Sequence, residues 1–249
     1  DVPITVSELM SVVKELKQNK APGNDKLLNE YFVSYIDILS FHLVDLFNNI
    51  LNTGYFPASW TEGIIILLFK KDDPENVRNY RGITLLSCMS KLFTAILNKR
   101  INKVIEDNNV LSDAQFGFRS GRSTTDANFI LNALIQKVFN GKERLYCGFI
   151  DLKRAFDSVY LNGLFLKLKK SGIGGKTLKI IKRIYSNIKN RVRACNIYSD
   201  FFNCAVGLKQ GEIMSPMLFS LFIEDLELFI QDSPTSGLTI DDITFILLL

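Results

Sequence analysis

Histidine is almost missing from this chain: His42 is the single one among 249 residues, and it lies in the apolar stretch Ile38-Leu39-Ser40-Phe41-His42-Leu43. Nucleophilic catalysis by a Ser-His or Cys-His pair needs an imidazole beside the nucleophile, so that chemistry is disfavoured and His42 reads as a packed or surface helix residue. Cysteine is scarce too. Cys88, Cys147, Cys195 and Cys204 show no Cys-x-x-Cys spacing, which points away from a zinc site and a disulfide framework and toward a reducing, intracellular setting. Long apolar runs are also lacking. The longest, Ile64 to Phe69 and Phe245 to Leu249, fall far below the ~18 residues that span a bilayer, so no membrane partner is expected. The opening Asp-Val-Pro-Ile-Thr has no Met, no basic n-region and no apolar h-region. It reads as a cut from a longer polyprotein with no targeting signal, leaving nucleus and cytoplasm both open.

Acid is absent from one long segment. Between Lys167 and Arg193 there are ten Lys or Arg and no Asp or Glu. Such a block suits a polyanionic partner. It equally suits a solvated helix face, because Leu178, Ile181, Ile184, Tyr185 and Ile188 recur at helical spacing with the lysines opposite.

With 47% hydrophobic residues, the chain can bury one large core or two closely packed subdomains. Thr5-Val-Ser-Glu8 is a capping box, opening a helix that turns Val6, Leu9, Met10, Val13 and Leu16 inward and stops at Ala21-Pro22-Gly23. Helical patterns follow over Asn29 to Leu51, Ser87 to Asn108, Asp126 to Phe139, a segment after Ser158, and Ser215 to Ile230. Ile64 to Phe69 predicts a buried strand, and Lys70 to Pro74 a turn. Arg144 to Ile150, Phe201 to Val206 and Leu238 to Leu249 also read as strands. Helices around a small sheet make an α+β fold, with no internal repeat.

One stretch carries the clearest chemistry: Cys147-Gly-Phe-Ile-Asp151-Leu-Lys-Arg-Ala-Phe156-Asp157-Ser-Val159. An apolar strand delivers a carboxylate to its end, and a second carboxylate and an aromatic follow. Magnesium is held by one or two carboxylates plus substrate phosphates, and a paired site can activate an attacking oxygen while stabilising a leaving one. By itself a strand-end Asp is equally a helix N-cap.

The stretch resembles the first catalytic motif of reverse transcriptases, those of non-LTR (LINE-type) retrotransposons in particular. The resemblance implies that Asp151 is a catalytic metal ligand with the Leu152 carbonyl. It makes Phe156 a gate that excludes a ribose 2′-hydroxyl and Asp157 a supporting residue. Gly207-Leu-Lys-Gln210-Gly211-Glu-Ile-Met-Ser215-Pro216 is similar to the family's Gln-Gly and Ser-Pro motif. There Gly211 allows close backbone approach to a nucleotide, Gln210 hydrogen-bonds it, and Ser215-Pro216 caps and starts a helix. Glu212 departs from the small or Cys residue of many relatives.

Three more blocks follow the family's order. Trp60, Phe69-Lys70-Lys71 and Asn79-Tyr80-Arg81-Gly82 look like the fingers motif, with Lys70 and Arg81 set to neutralise a triphosphate. Gln115-Phe116-Gly117-Phe118-Arg119-Ser120-Gly121-Arg122 suits template or primer backbone contacts through Arg119 and Arg122. Lys20-Ala21-Pro22-Gly23-Asn24-Asp25 matches the N-terminal motif of the non-LTR branch.

The resemblance thus implies a right-hand polymerase built of fingers and palm, its small antiparallel palm sheet flanked by helices. Residues 1–143 would be mainly fingers with part of the palm, and 144–249 palm, with the thumb absent. The implied activity is RNA-directed DNA polymerase: two Mg²⁺ (or Mn²⁺) ions, a dNTP, an RNA template and a DNA primer or target. The resemblance also implies a second carboxylate pair, an aromatic-x-Asp-Asp turn that completes the metal site. Thr239-Ile240-Asp241-Asp242 is one candidate for it, but Thr239 stands where the aromatic belongs. The family's spacing from Ser215-Pro216 is met better by a turn just past Leu249, which leaves Asp241-Asp242 an ordinary hairpin turn and the fragment inactive alone. Two rivals are a non-catalytic RNA-binding descendant, disfavoured by Asp151, Phe156, Gln210 and Arg81 together, and an RNA-dependent RNA polymerase, disfavoured by Phe156.

Overall fold

The computed structural model describes residues 2–142, 144–195, 197–232, 239, 240, 243 and 244. Three of the described α-helices begin where a side chain satisfies a free N–H group. Helix α1 (Val6–Lys14) opens on the expected capping box: the Thr5 hydroxyl accepts from the Glu8 N–H, and the Glu8 carboxylate accepts from the Thr5 N–H. It ends earlier than its apolar pattern predicts, because the chain has left helical geometry by Asn19, at φ 57°, well before Pro22. Helix α2 (Asn29–Thr53) is stopped by Gly54, whose φ of 71° fits a residue without a Cβ and whose N–H bonds the Ile50 carbonyl. It kinks at Tyr35.

A short helix α3 (Ala58–Thr61) leads into β1 (Glu62–Phe69), which pairs antiparallel with β2 (Tyr80–Leu86) from Gly63↔Leu86 to Phe69↔Tyr80. Only the base of this hairpin is buried. Gly63 and Ile64 are covered while Leu67, Leu68 and Phe69 face solvent, so the expectation of a buried strand holds for its first half alone.

Helices α4 (Cys88–Asp107), α5 (Thr124–Asn140), α6 (Leu161–Lys170) and α7 (Gly175–Ser186) come next, then β3 (Lys189–Ala194), β4 (Ile197–Tyr198) and β5 (Phe202–Asn203). The sheet order is β2-β1-β3-β4, with β5 also on β3. It is mixed, not antiparallel as expected: β3 runs parallel to β1, with Glu62 opposite Lys189. The helical passage from β2 to β3 is long enough to return the chain in the same direction. Helices α8 (Ser215–Phe222) and α9 (Leu226–Gln231) divide the single helix expected over 215–230, and β6 (Thr239–Ile240) pairs antiparallel with β7 (Ile243–Thr244). Asp241, Asp242 and Phe245 to Leu249 lie outside the described residues.

The core gathers on α4. Leu92, Phe93, Leu97, Ile101 and Ile105 are fully buried against Leu164 and Leu168 of α6, Ile180 and Ile181 of α7, and Leu218 and Leu221 of α8. Burying each such side chain stabilises by roughly 1.5–3 kcal/mol. Phe47, Phe56, Trp60 and Phe93 form an aromatic cluster that seats α3 at the base of the hairpin.

The motif at 20–25 ties these parts together. Gly23 lies so close to β2 that a Cβ would stand 2.4 Å from the Leu86 backbone. Asn24 bonds Glu62 of β1 and accepts from Arg191 of β3. The Asp25 carboxylate takes the Cys88 N–H at 2.9 Å, a free donor at the start of α4.

Candidate active site

The Gln210–Gly211 turn is docked on the open edge of the sheet. The Gln210 carbonyl accepts the Thr84 N–H of edge strand β2 at 2.8 Å. Gly211 has φ 111°, and a Cβ there would stand 2.6 Å from the Thr84 carbonyl oxygen. Its lack of a side chain is therefore required twice, by backbone conformation and by contact. The side chain of Gln210 then links two distant elements. Its amide oxygen accepts from Arg81 Nε of β2 at 3.1 Å, and its amide nitrogen reaches Asp157 at 3.5 Å.

Phe156 stands beside this chain of contacts. Its ring stacks on Phe219 of α8, centroids 5.0 Å apart, and meets Phe118 edge-on at 6.1 Å. The Phe156 carbonyl accepts the Leu208 N–H at 2.7 Å, so the backbones of the two motifs are directly joined. Gly207, at φ 86°, packs a would-be Cβ 2.6 Å from the Asp157 carbonyl oxygen. Lys70 lies at the outer end of the β1–β2 hairpin, its N–H on the Asn79 carbonyl. Arg81 sits opposite Leu68, two residues before Lys70, so Lys70 and Arg81 share one face of the hairpin. Five sequence-predicted residues, Arg81, Phe156, Asp157, Gln210 and Gly211, are thus brought together.

This convergence coincides with a match, over residues 69–247, to the family described as reverse transcriptase (RNA-dependent DNA polymerase). The chain belongs to the reverse transcriptase family. It is 33% identical over 225 residues to "Probable RNA-directed DNA polymerase from transposon BS" of Drosophila melanogaster, which covers 90% of this chain and 25% of that protein. It is 34% identical over 230 residues to "RNA-directed DNA polymerase from mobile element jockey" of Drosophila funebris, covering 90% and 24% respectively. A third relative, "Retrovirus-related Pol polyprotein from type-1 retrotransposable element R2" of Popillia japonica, is 28% identical over 244 residues, 96% of this chain and 32% of that one. These relatives place the reverse transcriptase domain in the non-LTR, LINE-type branch. The chain spans about a quarter of the length of the first two.

Other parts of the reverse transcriptase motif set sit differently from expectation. Residues 144–150 form no strand: they run without sheet partners among the described residues, and Tyr146, Phe149 and Ile150 are exposed. A strand is held by the neighbour its backbone bonds, and β6 and β7 pair with each other instead. Asp151 and Leu152 lie exposed on this segment, and no hydrogen bond or ion pair holds the Asp151 carboxylate among the described residues.

Ser215 is not the cap of α8. It is the first helical residue, followed by Pro216, and its hydroxyl bonds back to the Lys209 carbonyl at 2.8 Å. Arg119 is consumed by structure: its guanidinium grips Glu106 with both prongs at 3.0–3.2 Å and donates to the Ser112 carbonyl, with its side chain only 7% exposed. Arg122 pairs with Asp113 and covers the Phe116 ring.

Sequence reasoning passed over Lys209 as a site residue and read Glu212 only as a departure from the family pattern. Both are buried, at 7% and 4% exposure. Burial pulls the Lys209 ammonium down to about 8 despite the opposing charge of Glu212, and burial pushes the Glu212 carboxyl up. Burial likewise raises the Tyr185 hydroxyl, which lies 3.5 Å from Ser215 Oγ. Thr84 and Phe219 were not singled out either, and Phe118 was read as a template-side aromatic, not as a neighbour of Phe156. Only their partners mark them, and those partners are remote in sequence.

Among the described residues no group of three or more His, Cys, Asp or Glu could hold a metal ion. Asp151 stands alone and Asp157 is engaged by Gln210, so these residues do not amount to a metal centre by themselves. No helix among the described residues is long and apolar enough to cross a membrane.

Proposed function

We propose that this domain is the nucleotide-binding, chain-extending part of an RNA-directed DNA polymerase of a non-LTR retrotransposon. The single observation that supports it best is the Arg81–Gln210–Asp157 chain beside Phe156, which joins three motifs remote in sequence at one place. In this reading residues 1–143 are mainly fingers with part of the palm, and 144–249 are palm. The substrates are an RNA template, a DNA primer or target, and a dNTP. The primer 3′-oxygen attacks the α-phosphate, and pyrophosphate leaves.

Lys70 and Arg81, on one face of the projecting hairpin, neutralise the triphosphate. Gln210 and Gly211 present a donor and a bare backbone to the nucleotide. Phe156 lies under the sugar, held by Phe219, and leaves no room for a 2′-hydroxyl. Asp157 orients Gln210. Arg122, and more remotely Arg119, shape the template-side loop through Asp113 and Glu106. Divalent ions, Mg²⁺ or Mn²⁺, supply charge stabilisation in such chemistry. Asp151 and the Leu152 carbonyl are proposed as part of that set, and the described residues add no further ligand.

The test is primer extension on an RNA template by the complete protein that carries this domain. Asp151→Asn is expected to abolish extension while RNA binding persists. Equal extension by wild type and variant would remove Asp151 from the ligand set; no extension by either would favour a non-catalytic RNA-binding descendant. Phe156→Ala is expected to raise ribonucleotide incorporation by roughly 10–200-fold, the range set by one small steric difference in a pocket.

A further inference from the structure

The turn that presents Gln210 and Gly211 is flanked by two charged residues that point the other way. Along 209–212 the pattern is buried, half-buried, exposed, buried. Loops rarely hide charge, because each ion loses its hydration. Lys209 reaches inward, and its ammonium makes its hydrogen bond to the Thr61 carbonyl at 2.8 Å, at the junction of α3 and β1. Glu212 also reaches inward, where its carboxylate accepts the Ile213 N–H at 3.0 Å and hydrogen-bonds Thr94 of α4. The two backbones close on each other as well: Glu212 N–H and Ser215 Oγ both donate to the Lys209 carbonyl. The turn is therefore moored at two points, the base of the hairpin that carries Arg81 and the central helix of the core.

We propose that Lys209 and Glu212 are positioning residues, a buried pair of opposite charges that fixes the height of the Gln210–Gly211 turn and thereby sets affinity for the incoming deoxynucleotide. The proposal rests on the polymerase reading above. The mooring runs through Thr61, one residue before β1, so the turn and the hairpin carrying Lys70 and Arg81 move as one unit. Without the pair, Gln210 keeps its backbone bond to Thr84 but its side chain no longer arrives at Arg81 and Asp157 together. Neither Lys209 nor Glu212 touches the nucleotide.

The variants are Lys209→Met, Glu212→Gln and the double substitution, with Lys182→Met on the outer face of α7 as control. In the complete polymerase, each single variant is expected to raise KM for dNTP about tenfold with kcat changed less than about twofold, the pattern of lost ground-state and transition-state binding together. The double variant is expected to be no worse than the worse single one, because the two side chains act as a unit. An unchanged KM in an active, folded variant overturns the proposal and leaves the polymerase reading intact.

Amide hydrogen exchange on this chain alone gives a readout independent of catalysis. Lys209→Met should speed exchange over residues 208–213 while α4 and β1 stay protected. Unchanged exchange there overturns the proposal, even if wild-type primer extension is itself absent and the polymerase reading fails. Loss of protection throughout the chain also overturns it, since that marks a general stability role.

Discussion

Raising the pH should stabilise the wild-type chain relative to its Lys209→Met variant, by an amount the structure sets. Burial brings Lys209 down from its ordinary 10.5 to about 8, against the opposing pull of Glu212 and Cys204. Between those two values the unfolded chain holds a proton that the folded chain has released. The folded state is therefore favoured as pH rises through this window, and the penalty for burying the ammonium is fully present below about 8. Carrying the shift from pH 7 to pH 10 gives stability on the order of 2–3 kcal/mol regained by wild type. Methionine has nearly the same length and no charge, so the variant lacks this slope.

The assay is urea unfolding followed by far-UV circular dichroism at pH 7 and pH 10, wild type against variant, so that titrations common to both cancel. Repeating the pair in a Glu212→Gln background removes the charge that holds the proton on Lys209, and the slope should steepen. Parallel stabilities across the pH range would refute the burial of a charged Lys209.

Two further expectations follow from single contacts. Gly211→Ala should cost ~1–3 kcal/mol of stability from its backbone conformation alone, and more from pushing the turn off the Thr84 carbonyl. A melting temperature equal to wild type would contradict that geometry. Arg119→Ala should destabilise by ~2–3 kcal/mol by leaving Glu106 unpaired, below the full cost of breaking a buried pair because Glu106 is partly exposed. RNA affinity should fall only in step with that loss of stability; a selective loss of RNA binding with normal stability would return Arg119 to a direct template role.

Local signals were legible where one residue decides an outcome. The capping box at Thr5 and Glu8, the Ser87 cap and the Gly54 stop set helix ends within a few residues of the sequence reading. The amphipathic pattern of 175–186 likewise identified its buried face. Signals that depend on a remote partner were not legible. The segment 144–150 has strand composition, yet a strand exists only with a neighbour, and no stretch of sequence names its neighbour. The parallel pairing of β1 with β3 is invisible for the same reason. Arg119 was read as a template contact because arginine beside glycine and aromatics suits that role; Glu106, thirteen residues earlier, competes for it. Lys209 and Glu212 look like ordinary loop charges until Thr61 and Thr94 are placed behind them.

The bond between Thr84 and the Gln210 carbonyl separates two jobs at one position. The main chain secures the turn while the side chain links Arg81 to Asp157, so a substitution at 210 changes that link without dislodging the turn. The link can therefore drift over evolutionary time by single changes at 210, while position 211, pinned by its contact with the strand, has no room for a side chain.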